Sequence, residues 1–366
     1  MNQKLRNHIA LFSKIPLYMF HRASGVPLIF PVNFTMSLLY SCNSRCATCN
    51  IYEKSADRLS LEEFDRIFDS LGQTPFWFTM SGGEPFLRED IVEICTSAYT
   101  RCKPAIINIP TNASLYKVIP GRVQRILENC PDTDIVINVS LDEIGEKHDE
   151  IRGFPNNFKR AMTTYQALKD LTKTYPNFTL GIHTVISKFN VDNFPAIHEQ
   201  LQRLAPDSYI TEIAEERVEL GTIDCDITPS LDKYSQAIDF LSAQITQHHF
   251  SRLSRITQSF RLEYYSLVKK ILRQRTQIIP CYAGVVSAQI SPQGDVWPCC
   301  IRADVMGNLR ENGYDFRKIW QSAEAASIRK SIRRKECYCP LANASYTNML
   351  CSPASMLKVL RHVLAP

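Results

Sequence analysis

Between Phe34 and Glu215, short runs rich in β-branched and aromatic residues alternate with stretches of helical apolar spacing, and this rhythm leaves few folds open. Runs near 34–40, 76–80, 105–110, 134–140, 179–186 and 209–214 have the length and composition of strands. Helical patterns fill the gaps at about 60–71, 88–100, 115–129, 157–172 and 193–204. The first is the clearest: Ser60 and Glu63 form an S-x-x-E capping box, and Leu61, Phe64, Phe68 and Leu71 make one apolar stripe. Regular strand–helix alternation predicts an α/β fold, a partial (β/α)6 TIM-like barrel of parallel strands joined by helical crossovers.

Beyond Thr228 the pattern changes to long helices through about Arg275, then to a turn-rich, cysteine-bearing segment from Cys281 to Cys351. A chain of 366 residues exceeds what one core usually supports, so we expect a leader at 1–33, a barrel at 34–250, and a linker helix with a small C-terminal Cys-rich domain at 251–366. The composition, 45% hydrophobic and 22% charged, excludes a disordered chain or a coiled coil. The N-terminus lacks the apolar core and cleavage site of a secretory signal. The uncharged stretch from Ala23 to Ser44 is broken by Pro27, Pro31 and Asn33, against a membrane span. A reducing cytoplasm is the expected setting.

The net charge of +5 is too mild to argue for nucleic acid. Arg329, Lys330, Arg333, Arg334 and Lys335 read as one solvated helix face, or as a dock for an acidic protein. The leader holds Lys4, Arg6, Lys14 and Arg22 without an acid, interleaved with Ile9, Leu11, Phe12, Ile15, Leu17 and Phe20. Two readings fit this pattern: peripheral contact with an anionic membrane through residues 1–33, or a helix packed across the domain with its lysines in water.

Cys42, Cys46 and Cys49 form a C-x3-C-x2-C loop directly after the first strand, at the end where α/β barrels place their chemistry. Three ligands on one tight loop suit a 4Fe-4S cluster with one iron left open, although a partial zinc site also fits. After the second strand comes SGGEP, in which Gly82 and Gly83 let backbone approach a ligand closely. The third strand ends in PTN with Asn112, the fourth in NVSLDE with Ser140 and Asp142, and HDEIRG comes next with Arg152. Asn112 suits a helix cap equally well, and His183 reads as a core histidine.

In this order, at the ends of successive strands, the motifs resemble those of the radical S-adenosylmethionine (SAM) enzymes. The resemblance implies that Cys42, Cys46 and Cys49 carry a SAM-binding 4Fe-4S cluster. SAM would bind the open iron and be cleaved reductively to a 5′-deoxyadenosyl radical that abstracts a hydrogen atom. It places Gly82, Gly83 and Glu84 at the SAM amino group, Ser140 and Asp142 near the ribose, Arg152 at the carboxylate, and Asn112 beside them. A low-potential donor, flavodoxin or ferredoxin, is implied. Relatives usually have an aromatic residue before the third cysteine, where this chain has Thr48, so Tyr52 becomes a candidate for adenine packing.

Gly294 to Cys299 resembles the SPASM and twitch extensions of that family. The resemblance implies one auxiliary 4Fe-4S cluster, with Cys281, Cys299, Cys337 and Cys339 as ligands. A structural zinc site beside a Gly294–Asp295 hairpin is the alternative. Cys300, facing the cavity between barrel and lobe, is a candidate catalytic thiol, an alternative ligand or a packed side chain. Cys95, Cys102, Cys130 and Cys225 read as small buried apolar residues. The substrate is open: a small molecule, sugar, lipid headgroup or peptide, the last disfavoured because residues 1–33 are too few for a peptide-recognition domain. Other functions compatible with the cysteines are an iron-sulfur redox sensor or electron carrier, and a zinc-stabilised binding module.

Overall fold

The computed structural model describes residues 3–247 and 252–364, with the side chains of 3–8 and 252–254 outside that description. Its centre is an open barrel of parallel strands: β1 (Asn33–Ser37), β2 (Trp77–Ser81), β3 (Ile106–Thr111), β4 (Asp134–Ser140), β5 (Phe178–Ile186) and β6 (Ser208–Ile213). Each pairs in parallel with the strand before it in sequence. The expected strands and the α/β partial barrel are therefore present.

Alternation along the strands sets the two faces. Ile107 and Ile109 on β3, and Ile135, Ile137 and Val139 on β4, join the buried core beneath the helices. On the opposite face of the same strands, Asn138 donates to Asn108 Oδ1 at 2.6 Å, so the barrel interior is lined by polar residues. The outer layer comprises α2 (Leu61–Leu71), α3 (Ile91–Cys102), α4 (Ile119–Asn129), α5 (Glu146–Arg152), α6 (Asn157–Leu171) and α7 (Phe194–Gln202). At α2 the Ser60–Glu63 capping box is formed in both directions.

After β6 come α8 (Leu231–Gln247) and α9 (Arg252–Gln274). The expected boundary between residues 250 and 251 lies outside the described residues. Past α9 the chain does not break from the barrel: β7 (Ser287–Ile290) pairs in parallel with the free edge of β1, and the hairpin strands β8 (Asp295–Trp297) and β9 (Gly307–Asn308) extend the same sheet. The C-terminal segment therefore covers the β1 edge, which would otherwise expose unpaired backbone. It ends in α10 (Phe316–Trp320), α11 (Ala323–Arg333), α12 (Ala342–Leu350) and α13 (Pro353–Leu364).

The leader forms α1 (Gln3–Ser24). It packs on this C-terminal segment through buried Tyr18 and His21, with the Tyr18 hydroxyl donating to the Phe30 carbonyl at 2.6 Å. Arg22 Nε donates to the Cys281 carbonyl, and Arg333 Nη1 to those of Arg22 and Ala23. The side chains of Lys4 and Arg6 lie outside the described residues. Among the described residues, no helix is long and apolar enough to cross a membrane. The reading of 329–335 as one solvated face fails at Arg329, which is only 8% exposed because α11 turns it inward under Trp320.

Candidate active site and cysteine centres

All six barrel strands end at one cavity of about 180 Å³. Cys42, Cys46 and Cys49 enter it after β1, Gly82 to Glu84 after β2, Asn112 after β3, Ser140 at the end of β4 and Asp142 just beyond it. Val185 near the end of β5, and Glu212 on β6 with Ala214, Glu215 and Arg217 beyond it, close the far side.

The cysteine loop is clamped by neighbouring turns. The Gly83 amide donates to the Leu39 carbonyl at 2.7 Å, and that of Glu84 to Ser41 at 3.1 Å. A Cβ on Gly83 would fall on the Ser41 carbonyl, and one on Gly82 on the Leu39 carbonyl. Both glycines are therefore required for two backbones to touch. From the other side the amides of Arg45 and Ala47 donate to the carbonyls of Arg152 and Ile151, and Gly153, at φ +53°, leaves room for the Arg45 carbonyl.

Polar side chains lock the same region. Glu84 is 1% exposed and accepts from the Phe86 amide, the Thr111 hydroxyl and the Asn112 amide at 2.8 to 3.1 Å. Burial pushes its carboxyl up to about 7. Asn112 caps no helix, since α4 starts at Ile119; its Nδ2 donates instead to Asn43 Oδ1 and Ser44 Oγ in the cysteine loop. Arg152 pairs with Asp142 at 2.9 Å and lies 3.8 Å from Cys46 Sγ, while its buried Nε has no partner.

The three thiols influence one another. Burial pushes Cys42 up to about 11 and Cys49 to about 12, and neighbouring thiols add to the rise. Thiols so disfavoured as free thiolates become ligands when a metal supplies the compensating charge. In the second field Cys281, Cys299, Cys337 and Cys339 likewise act on one another, and burial dominates the shift at Cys281, Cys299 and Cys339.

Residues 36–201 match the radical SAM superfamily model, and residues 281–340 match the SPASM iron-sulfur cluster-binding domain. The chain belongs to the radical SAM superfamily. Among its curated relatives is the AdoMet-dependent heme synthase of Methanosarcina barkeri, 26% identical over 78% of this chain and 81% of that protein. Another is the mycofactocin maturase MftC of Mycolicibacterium smegmatis, 26% identical over 80% of this chain and 71% of that one. The subtilosin biosynthesis protein AlbA of Bacillus subtilis is 23% identical over 84% of this chain, which spans only 65% of AlbA. The crystal structure of Streptococcus suis SuiB bound to S-adenosylmethionine shares the fold, with a TM-score of 0.59 at 16% identity over 89% of this chain and 72% of SuiB.

As a radical SAM enzyme with a SPASM domain, the protein uses a 4Fe-4S cluster, SAM and auxiliary iron-sulfur chemistry. The residues fit these groups: three converging thiols, a glycine cradle pressed against their loop, and an arginine with an unsatisfied nitrogen at the cavity wall.

Several side chains lie elsewhere than expected. Tyr52 does not line the cavity, because the Arg45 guanidinium stacks over its ring at 4.3 Å; Ile51, Leu220 and Ile227 supply the apolar wall instead. Cys300 is also absent from the lining, since Leu341 and Ala344 of the C-terminal segment cover it. Cys225 is exposed, 3.8 Å from Asn50 Nδ2, whereas Cys95, Cys102 and Cys130 are buried as expected. Cys351 packs with Tyr18 and Tyr282 in a separate apolar cluster. His183 is half-buried, 3.6 Å from Glu212.

Sequence reading missed the wall of Glu212, Glu215 and Arg217. Arg217 Nη2 lies 3.3 Å from each carboxylate. Burial pushes Glu215 up to about 8, while the guanidinium keeps Glu212 below the ordinary carboxylate value despite burial. Sequence reading also missed His148, fully buried behind Asp142.

Proposed function

We propose that this protein cleaves SAM reductively at a cluster held by Cys42, Cys46 and Cys49, and uses the product to remove a hydrogen atom from a polar substrate. The convergence of the three-cysteine loop and the Gly82–Gly83–Glu84 turn on one cavity at the strand ends supports this reading. When bound, the cluster and SAM supply the electron transfer and the 5′-deoxyadenosyl radical.

The chain's own residues orient and enclose. The backbone at Gly82 and Gly83, with the lone pair that Glu84 leaves unused, would receive the SAM amino group. Ser140 and Asp142 would face the ribose and Arg152 the carboxylate, all three lining the cavity, while Asn112 holds the cysteine loop in register. Opposite them, Arg217 and Glu212 present a charged pair, while Glu215, neutral near pH 7, offers a proton and a hydrogen bond. A substrate with its own polar or charged group fits such a wall. Maturases and a heme synthase stand at similar identity among the relatives, so likeness does not choose between a peptide and a small molecule.

Cys281, Cys299, Cys337 and Cys339 would hold an auxiliary cluster, which would supply redox capacity or a binding point for the substrate. Flavodoxin or ferredoxin in a reducing cytoplasm supplies the first electron. The test is anaerobic reconstitution followed by dithionite and SAM. 5′-Deoxyadenosine forms with the wild type and not with Cys46→Ala. Reconstituted protein that binds iron and sulfide yet never consumes SAM would instead identify an electron carrier or sensor, and protein free of sulfide a zinc module.

A further inference from the structure

A second cavity, of about 190 Å³, lies away from the barrel-mouth cavity, between the last turn of α1, α11 and the turn at 281–285, whose Cys281 is one of the proposed auxiliary-cluster ligands. Arg22, Arg329, Lys330 and Arg333 line it, and no acidic side chain does so among the described residues. Lys330 and Arg333 are exposed to water and Arg22 is half-buried, so among these four cations the need for a counter-charge is strongest at buried Arg329.

Arg329 makes the case specific. It is only 8% exposed, with Nε donating to the Gly284 carbonyl at 2.6 Å and Nη2 to that of Trp320 at 2.7 Å. Its Nη1 is buried without a partner. Among the buried arginines, Arg88 meets the Asp90 carboxylate at 2.6 Å and Arg261 donates to Gln258 and Ser208, whereas the recorded partners of Arg329 are two carbonyls and the Trp320 ring, with Nη1 left over. Burial pulls its pKa down to about 10. His21, fully buried at the same wall, has both ring nitrogens unpartnered. Unsatisfied buried donors at one wall of a cavity mark the place of a missing acceptor.

We propose that this cavity binds a phosphate-type oxyanion, held by the free edge of Arg329, by His21, and by Arg22, Lys330 and Arg333. A tetrahedral oxyanion has enough acceptors for a guanidinium edge, an imidazole N–H and flanking cations together. Such an anion comes free in solution or on a lipid headgroup. The second source has support on the same helix, because Phe12, Met19 and Phe20 of α1 and then Val26 and Leu28 are exposed apolar side chains. Between them Gly25 lines the cavity.

The inference does not rest on SAM cleavage, and its test needs no turnover. Anaerobically reconstituted full-length protein is dialysed against radiolabelled orthophosphate at fixed ionic strength, and floated with phosphatidylcholine vesicles with and without phosphatidic acid. We expect saturable binding of one phosphate per chain, lost in Arg329→Gln. It should weaken about tenfold in Lys330→Glu, an exposed position that folding tolerates, and stay unchanged in Lys270→Gln on α9. Orthophosphate binding alone identifies a free anion as ligand. Phosphatidic-acid-dependent flotation competed by orthophosphate identifies a headgroup. Absence of both, vesicle binding indifferent to orthophosphate, or binding indifferent to Lys330→Glu would overturn the site.

Discussion

His148 is a positioning residue whose protonation state is set by its partners. Its Nδ1 accepts the Asp142 amide at 3.3 Å, so Nε2 carries the hydrogen and donates to Asn157 Oδ1 at 2.9 Å. Asp142, placed in this way, keeps its two oxygens for the Val185 amide and for Arg152 at the cavity wall. Burial pulls the His148 pKa down to about 4, with the Arg152 charge adding to the effect. An unfolded histidine titrates near 6.5, so between those values the unfolded chain binds the extra proton. Stability from this site is therefore complete above about pH 6.5 and lost as pH falls toward 4. We expect His148→Gln, which keeps polar contacts but cannot charge, to flatten that loss. In urea unfolding, the stability difference between wild type and variant should move by about 2 kcal/mol in the variant's favour from pH 7 to pH 5. A pH-independent difference would show that His148 is only a packed ring. Glu84 titrates with the opposite sign, since its raised carboxyl favours the folded state at lower pH; being common to both proteins, it cancels in the difference.

At the scale of elements, one clasp joins the barrel to the segment after β9. Arg310 Nε and Nη2 meet the two oxygens of Glu63 at 2.6 and 3.0 Å, and the Tyr314 hydroxyl donates to the same carboxylate at 2.6 Å. The Arg310 hydrogen bond above all, then that of Tyr314, pulls Glu63 down to about 2 against the opposing cost of burial. Its contribution is full above the ordinary carboxylate value and fades as pH falls through the folded value. Glu63→Gln should cost about 1 to 2 kcal/mol at pH 7, because a bidentate ion pair at a partly wet surface is worth less than its pKa shift suggests. The gap between wild type and variant in thermal unfolding should shrink below pH 4, and a constant gap would refute the charge-based account. This clasp was illegible in the sequence, since its partners stand 247 residues apart and nothing local marks either one. The strands of the barrel were legible because each carries its own β-branched run and caps. The cavity motifs were legible because Cys42 to Cys49 and Gly82 to Glu84 are contiguous. The pairing of β7 with β1 and the Glu212–Glu215–Arg217 wall depend on long-range packing, which periodicity does not encode. The place of the Tyr52 ring, under Arg45 and off the cavity, is equally illegible, because sequence distance from Cys49 says nothing about which side of the loop a ring takes.

Across the whole molecule, the stretch 214–222 lies between the two cysteine fields. The Asn50 amide, next to Cys49, donates to the Leu220 carbonyl at 2.8 Å, while the amides of Val218 and Glu219 donate to Ile301 and Cys300 at 3.1 and 3.2 Å. Buried Glu219 accepts from Ser37 on β1 and Gln289 on β7, so this one segment is tied to both halves of the continuous sheet. Its Glu215 and Arg217 line the cavity, which puts the proposed substrate wall on the structural bridge between the fields. Each set of thiols nonetheless interacts within its own field: Cys49 with Cys42 and Cys46, Cys299 with Cys281 and Cys337. Two clusters held by the proposed sets should assemble independently while sharing a rigid wall. Replacing Cys42, Cys46 and Cys49 together by alanine should leave about four of about eight irons after reconstitution. Replacing Cys281, Cys299, Cys337 and Cys339 should also leave about four, now with SAM binding retained in equilibrium dialysis. If either set of substitutions emptied both sites in protein that still folds by circular dichroism, the two fields would be one interdependent unit, and the separate ligand sets assigned here would be wrong.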